Sequence, residues 1–400
     1  MIENLYRDVV AYSQLGEHRT STDGEEKTTD WIAQQLEEAG LEVSFQTFSL
    51  RQFFVHETRL IVGDQQVECF PWWYPCQTGS RPIRAQLAPF GTSNDLLKGK
   101  IALIKAIASN WKEVSFRPDI EKIIQNIAEA GALAVVVVIE APSKELVAIN
   151  TSEQVDPWPI PVVLVGLKDE LTLVIATEKS SEVSLLVDGI DESQAKARNV
   201  FGRYDRGGDV IMISTPKSGW FHCGGERGPG VALSLALAHW VGQRQPKMSY
   251  WFDYNSGHEC FNLGTRMFLK ELAPPPSQVR CWLHLGANIA TWSWEETATG
   301  LKRRIESKRH IIRCNSNDIL PVITEAFVGA PWIKPMAGPD LSEFGPVTEV
   351  GYRGFGVYGG SYRFFHTSTD GPHGTSPELL KPIALALTKT LESIEVLPQL

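Results

Sequence analysis

The sequence predicts an α/β protein in which a doubly wound sheet between helical layers is interrupted by a smaller α/β block. Three observations carry that expectation. Strands and helices alternate through the last two hundred or so residues, the pattern of largely parallel sheets. A second, tighter alternation fills the middle, between the Trp/Pro/Cys-rich stretch Phe70–Cys76 and the acidic stretch Asp188–Ala195. The chain also has 400 residues, more than the roughly 100–200 of one domain.

The elements follow in order. Thr22 and Glu25 form a capping box that opens a helix running to Ala39, with Gly40 as its stop. Leu41, Val43, Phe45 and Phe48 then alternate with polar residues, the period of a strand over 41–50. In the middle block the strand 101–104 leads to a helix capped by Asp119, whose apolar face is Ile120, Ile123, Ile124 and Ile127. A wholly apolar strand follows at 132–139, of the kind buried on both faces. The strand 162–165, a helix at 170–177 and the strand 183–187 complete the block, and 188–195 reads as an exit linker. Later strands are expected at 199–203, 209–214, 248–254, 281–285 and 310–313, with a strand-like segment at 354–358. Helices are expected at 230–244, 263–271, 318–327 and 377–394. The helix 22–39 has no partner in the middle block and is expected to pack on the later sheet. The domains are therefore 1–50 with 195–400, and an insertion at 51–194.

Composition excludes several function classes. A formal net charge of −9 argues against nucleic acid and anionic membranes as partners. The longest apolar run, 130–139, is far short of the ~20 residues that cross a bilayer. The N-terminal stretch lacks a basic head followed by an apolar segment. The six cysteines include no CxxC pair and read as reduced thiols of a cytoplasmic protein. Cys223 and Cys260 are read as buried thiols rather than nucleophiles.

In open α/β sheets, ligands sit beyond the carboxyl ends of the strands. The strand ends and loops expected there carry Glu226, Glu259, His258, His284 and His366. Imidazole and carboxylate are the side chains zinc prefers, and a spare imidazole beside the metal can activate water. Arg227 and Lys217 are candidates to hold a substrate carboxylate, with Asn288 and Trp220 on the same loops.

The later block resembles the zinc aminopeptidase and glutaminyl cyclase superfamily. The middle block resembles a protease-associated domain through Lys98-Gly-Lys100, Ala128–Ala132 and Ile160–Val163. The resemblance implies an αβα mixed sheet with an inserted protease-associated domain. It also implies where the chain departs from its relatives. A His-x-Asp ligand motif is replaced by Thr215-Pro216-Lys217, and the bridging aspartate aligns with Glu226 ahead of Gly230-Val231. A Gly-Glu-Glu motif reads Gly257-His258-Glu259, which keeps the ligand glutamate and puts histidine at the base position. The next aspartate ligand falls on His284, the final ligand histidine on His366 ahead of Asp370, and a Ser-Asp-His-x-x-Phe element on Pro339-Asp340-Leu341 and Phe344. The resemblance thus implies one zinc rather than two, on Glu226, Glu259 and His366, with His258 as base and His284 as a further catalytic group.

The expected activity is hydrolysis of a peptide or amide bond in a small, specialised substrate. An intramolecular amide-type cyclase or lyase is the alternative on the same scaffold, and a non-catalytic peptidase-like binding protein the alternative of another class. The expected partner is a small molecule or short peptide, with homo-oligomerisation left open.

Overall fold

The structure, a computed structural model, describes residues 4–89, 94–109, 112–115, 117–151, 156–305, 310–339, 342–360 and 362–398. The chain divides into two compact units, Met1–Phe48 with Lys196–Phe365 and Thr369–Leu400, and Ser49–Ala195 with His366–Ser368.

The first unit is built on a mixed sheet. Four parallel strands lie in the order Gly354–Tyr358, Val279–Leu285, Val210–Pro216 and Ser249–Asn255. Beyond Gly354–Tyr358, the strand His310–Cys314 runs antiparallel and pairs in parallel with Ile333–Ala337. At the other side, Ser249–Asn255 pairs antiparallel with residues 200–204. Successive strand residues face opposite sides, and the two apolar faces follow from that period. Ile211 and Ile213 point into one core with Val231, Leu235, Leu283, Ile32 and Leu36, while Val210 and Met212 join Phe201, Phe268, Trp282 and Phe344 in the other. Helices therefore cover both faces, the αβα arrangement expected.

The helix Gly228–Arg244 is buried along most of its length. Helix Asp23–Glu38 packs in the same core as expected, with Thr22 at its N-cap accepting from the Glu25 amide. Sequence reasoning did not find the helix Leu5–Gln14 or the hairpin Ser293–Thr297 with Gly300–Arg304.

The second unit has a parallel core of Ile83–Pro89, Ile101–Ile107, Ala134–Glu140 and Val162–Gly166, edged by the antiparallel strand Cys69–Pro71. Two expectations need correction. Residues 188–195 are not a linker but part of one strand, Glu182–Tyr204, which also contains the segment expected at 199–203. Asp119 does not cap its helix: Arg117 stands at the N-cap, Pro118 opens the helix, and Asp119 pairs with Arg117 at 2.7 Å from within the first turn. Among the described residues, no helix is long and apolar enough to cross a membrane.

Candidate functional site

The four parallel strands of the first unit end together at Tyr358, Leu285, Pro216 and Asn255. Their ends and following loops present the buried polar residues Lys217, Ser218, Glu226, Arg227, His258, Glu259, His284 and Asn288. Burial of so much charge is tolerated only when the groups pair, so the pairing shows what each residue does.

Lys217 is fully buried, and its ammonium contacts the Glu25 carboxylate and donates to Ser256 Oγ at 2.7 Å. Ser256 Oγ in turn donates to Glu25. The expected substrate anchor is instead one half of an internal ion pair that ties the start of helix Asp23–Glu38 to two strand ends. Its charge was readable in the sequence; its partner, 192 residues away by number, was not.

Arg227 is likewise committed. Its Nη2 lies 2.9 Å from Glu226 Oε1 and its Nη1 donates to Glu343 Oε1 at 2.8 Å, with the side chain 1% exposed. It occupies the N-cap of helix Gly228–Arg244, where the helix dipole disfavours a cation. The two carboxylates outweigh that penalty. Arg227 is therefore a buried bridge rather than a residue held out to a substrate.

Glu343 is the group that sequence reasoning missed. Besides Arg227, its Oε1 lies 3.3 Å from His258 Nε2, and its Oε2 lies 3.4 Å from His284 Nε2 and accepts from the Ala287 amide at 3.0 Å. Burial alone would raise its carboxyl, but Arg227, His258 and His284 outweigh burial and hold it well below the usual carboxylate range. The signal available was its place beside Phe344, within the degraded Ser-Asp-His-x-x-Phe element. Asp340 and Leu341, also matched to that element, lie outside the described residues, and Phe344 is buried in the core.

The structure brings the two catalytic candidates together. His258 and His284 share Glu343, and His284 Nδ1 is 2.9 Å from Ser214 Oγ. Asn288 contributes its backbone, donating to Glu226 O at 2.9 Å. Trp220 is buried, with its carbonyl accepting from the Cys223 thiol at 2.7 Å. Cys223 is a buried free thiol whose pKa burial pushes up. Asp370 accepts from the Gly225 and Glu226 amides, both at 2.9 Å, and from Tyr362 at 2.8 Å. It clamps the loop that delivers Glu226.

These residues do not fit a zinc centre as arranged. Among the described residues, no group of three or more His, Cys, Asp and Glu side chains is placed to hold a metal ion. Glu226 is paired to a guanidinium. Glu259 accepts from the Thr20 amide at 2.5 Å and from Ser218 Oγ at 3.0 Å. His366 groups with the inserted unit, its Nδ1 2.9 Å from the carbonyl of Ala148.

Residues 75–173 match the family model of the PA domain. No curated protein matches the chain by sequence. Its fold is shared with solved structures. A zinc aminopeptidase from Bacillus subtilis superposes with a TM-score of 0.76 at 18% identity, over 98% of this chain and 94% of that one. A peptidase M28 precursor from Shewanella amazonensis gives 0.75 at 15% identity, over 100% and 93%. A glutaminyl cyclase from Porphyromonas gingivalis gives 0.52 at 10% identity, over 98% of each chain. The chain has the fold of these peptidases and this cyclase, with a PA domain inserted.

Proposed function

We propose that this protein is a peptidase-like hydrolase that cleaves an amide bond in a small, specialised substrate by acid–base chemistry at His258, with Glu343 as its partner. The observation that supports this reading is the shared carboxylate. Glu343 sits within 3.4 Å of the Nε2 atoms of both His258 and His284, at the strand ends where such sheets bind ligands. His258 keeps 8% of its side chain exposed and His284 only 1%, which makes His258 the imidazole that meets substrate. In this role it takes a proton from the attacking water and returns it to the departing amine. Glu343 orients the ring and stabilises the imidazolium between those steps.

The test is turnover of a panel of dipeptides and aminoacyl anilides in buffer freed of metal. Wild-type activity and a fall of about 10²–10⁴ in kcat for His258→Ala are expected. Activity that appears only with added zinc and survives His258→Ala would favour a zinc-dependent form of the hydrolase instead. That form requires Glu226 to leave Arg227 and Glu259 to leave Thr20 and Ser218.

A second reading, a binding protein without turnover, is favoured by one specific observation. Lys217, Arg227 and Glu259 all spend their polar ends on internal partners. Binding of a dipeptide without hydrolysis, measured by calorimetry, would decide for it.

A further inference from the structure

Ser214 is a buried hydroxyl that packing does not explain. Its strand, Val210–Pro216, puts Val210 and Met212 on one sheet face in the apolar core, and Ser214 continues that face at the carboxyl end. On the neighbouring strand Val279–Leu285, Trp282 and His284 share the face two residues apart, with His284 directly opposite Ser214 in the register. The hydroxyl is thereby placed between an indole and an imidazole. Trp282 Nε1 donates to Ser214 Oγ at 2.8 Å, and Oγ lies 2.9 Å from His284 Nδ1. On the far side of the ring, His284 Nε2 lies 3.4 Å from Glu343 Oε2. Phe344 stacks against the imidazole, with ring centroids 6.0 Å apart and planes 19° apart.

The hydrogens along this series can be assigned one by one. An indole nitrogen only donates, so Ser214 Oγ accepts from Trp282. Glu343, held ionised by Arg227 and the imidazoles, only accepts, and its Oε2 also takes the Ala287 amide at 3.0 Å. Asp253, opposite Ser214 on its other neighbouring strand, directs its carboxyl to Asn255. Among the described residues, Trp282 and His284 are therefore the hydrogen-bond partners of the hydroxyl. A proton on Nδ1 would make Ser214 accept twice and leave its own buried O–H without an acceptor, at a cost of about 1–3 kcal/mol. It would also turn the Nε2 lone pair toward a carboxylate. A proton on Nε2 gives every hydrogen an acceptor. We infer that Ser214 is a positioning residue of this site: its hydroxyl, oriented by Trp282, donates to His284 Nδ1 and fixes the ring as the Nε2–H tautomer that donates to Glu343. The series then runs one way, from Trp282 through Ser214 and His284 to the carboxylate. His284 becomes part of the mount of Glu343, and His258 is left as the imidazole that exchanges protons.

The catalytic consequence rests on the hydrolase reading above, but the tautomer is tested by spectroscopy rather than turnover, so the two fail separately. Long-range proton–nitrogen correlation spectra of the full chain, labelled at histidine and held in mildly alkaline buffer, separate a protonated ring nitrogen from a bare one. The signals lost in His284→Gln identify the ring. Wild type is expected to show a bare Nδ1 and a protonated Nε2. In Ser214→Ala the Nδ1 signal should move as its hydrogen bond is lost. Ser214→Thr, which keeps the hydroxyl on a side chain suited to a strand, should return the signal toward its wild-type position. Turnover should follow the same order, with kcat in Ser214→Ala lower by about tenfold, the worth of one hydrogen bond, KM unchanged, and recovery in Ser214→Thr. The inference is overturned if wild-type His284 carries its proton on Nδ1 or on both nitrogens, or if a folded Ser214→Ala leaves the Nδ1 signal in place. A wild-type kcat in Ser214→Ala would overturn the positioning role. Absence of turnover in every form would sink the hydrolase and leave the tautomer assignment standing on the spectra. Should Ser214→Ala not fold, the wild-type spectrum and Ser214→Thr decide.

Discussion

Individual side chains at the strand ends behave as they do because charge is buried there in pairs. Lys217 and Glu25, both at 0% side-chain exposure, illustrate the rule most sharply. Removing one partner strands the other, which costs about 3–5 kcal/mol in buried pairs, whereas removing both costs much less. Lys217→Met and Glu25→Gln should therefore each lower unfolding free energy by that amount. The double variant should recover much of the loss, as chemical denaturation of the three variants would show. His18 supplies the pH counterpart. It stacks on Tyr12 with ring centroids 3.9 Å apart, and its Nε2 lies 3.0 Å from the Tyr12 carbonyl. Burial outweighs that hydrogen bond and lowers its pKa to about 3, against ~6.5 in the unfolded chain. The unfolded chain thus takes up the proton first, and stability that is complete above pH ~6.5 is lost as pH falls toward 3, by about 2 kcal/mol between pH 6.5 and 5. His18→Gln should flatten that acid limb in denaturation curves measured across the range. At this scale the sequence was informative about residue type and silent about partners. His258 and His284 were readable because one follows a strand and the other stands near the carboxyl end of one, where such folds bind ligands. Lys217 and Arg227 were misread as substrate anchors because nothing local announces Glu25 or Glu343.

Elements were readable wherever one face is dry and the other wet. The helix Asp23–Glu38 announced itself through its cap, and the strand Ala134–Glu140 through a run of buried aliphatic residues. The stretch 188–195 failed because the strand there is largely exposed, which leaves no alternation to read and an acidic composition that imitates a linker. The helix Leu5–Gln14 buries Leu5, Val9 and Tyr12 at helical spacing, yet Asn4 makes no side-chain cap bond that would mark its start. Contact between elements makes its own prediction. A Cβ on Gly242, in helix Gly228–Arg244, would stand 1.9 Å from the carbonyl oxygen of Ala39 at the end of helix Asp23–Glu38. Gly242→Ala must push the two helices apart and should cost about 1–3 kcal/mol. Gly40→Ala meets no atom but places a side chain at φ +81°, so it tests backbone strain without a clash. Comparing the two melting temperatures separates packing from conformation.

On the scale of the whole molecule, architecture and site chemistry rest on different features of the sequence. The alternation of strands and helices and the two helical layers follow from apolar periodicity, which survives extensive sequence change because many sequences satisfy it. A metal centre depends instead on a few side chains at fixed distances, and here the expected ligands Glu226 and Glu259 are engaged by Arg227, Thr20 and Ser218. The similarity of fold to zinc peptidases and cyclases therefore carries the scaffold and leaves the chemistry to the residues themselves. The hydrolase reading makes His258 the working imidazole and Glu343 its partner, with a protein-borne cation holding the carboxylates in place. The most direct test is diffraction from crystals of the wild-type protein grown with zinc, with data collected on both sides of the zinc absorption edge. The account predicts no anomalous peak between Glu226 and Glu343, and continuous density for Arg227 bridging the two carboxylates. A strong peak coordinated by Glu226, with the guanidinium turned away from it, would contradict that account and restore a metal to the centre of the mechanism.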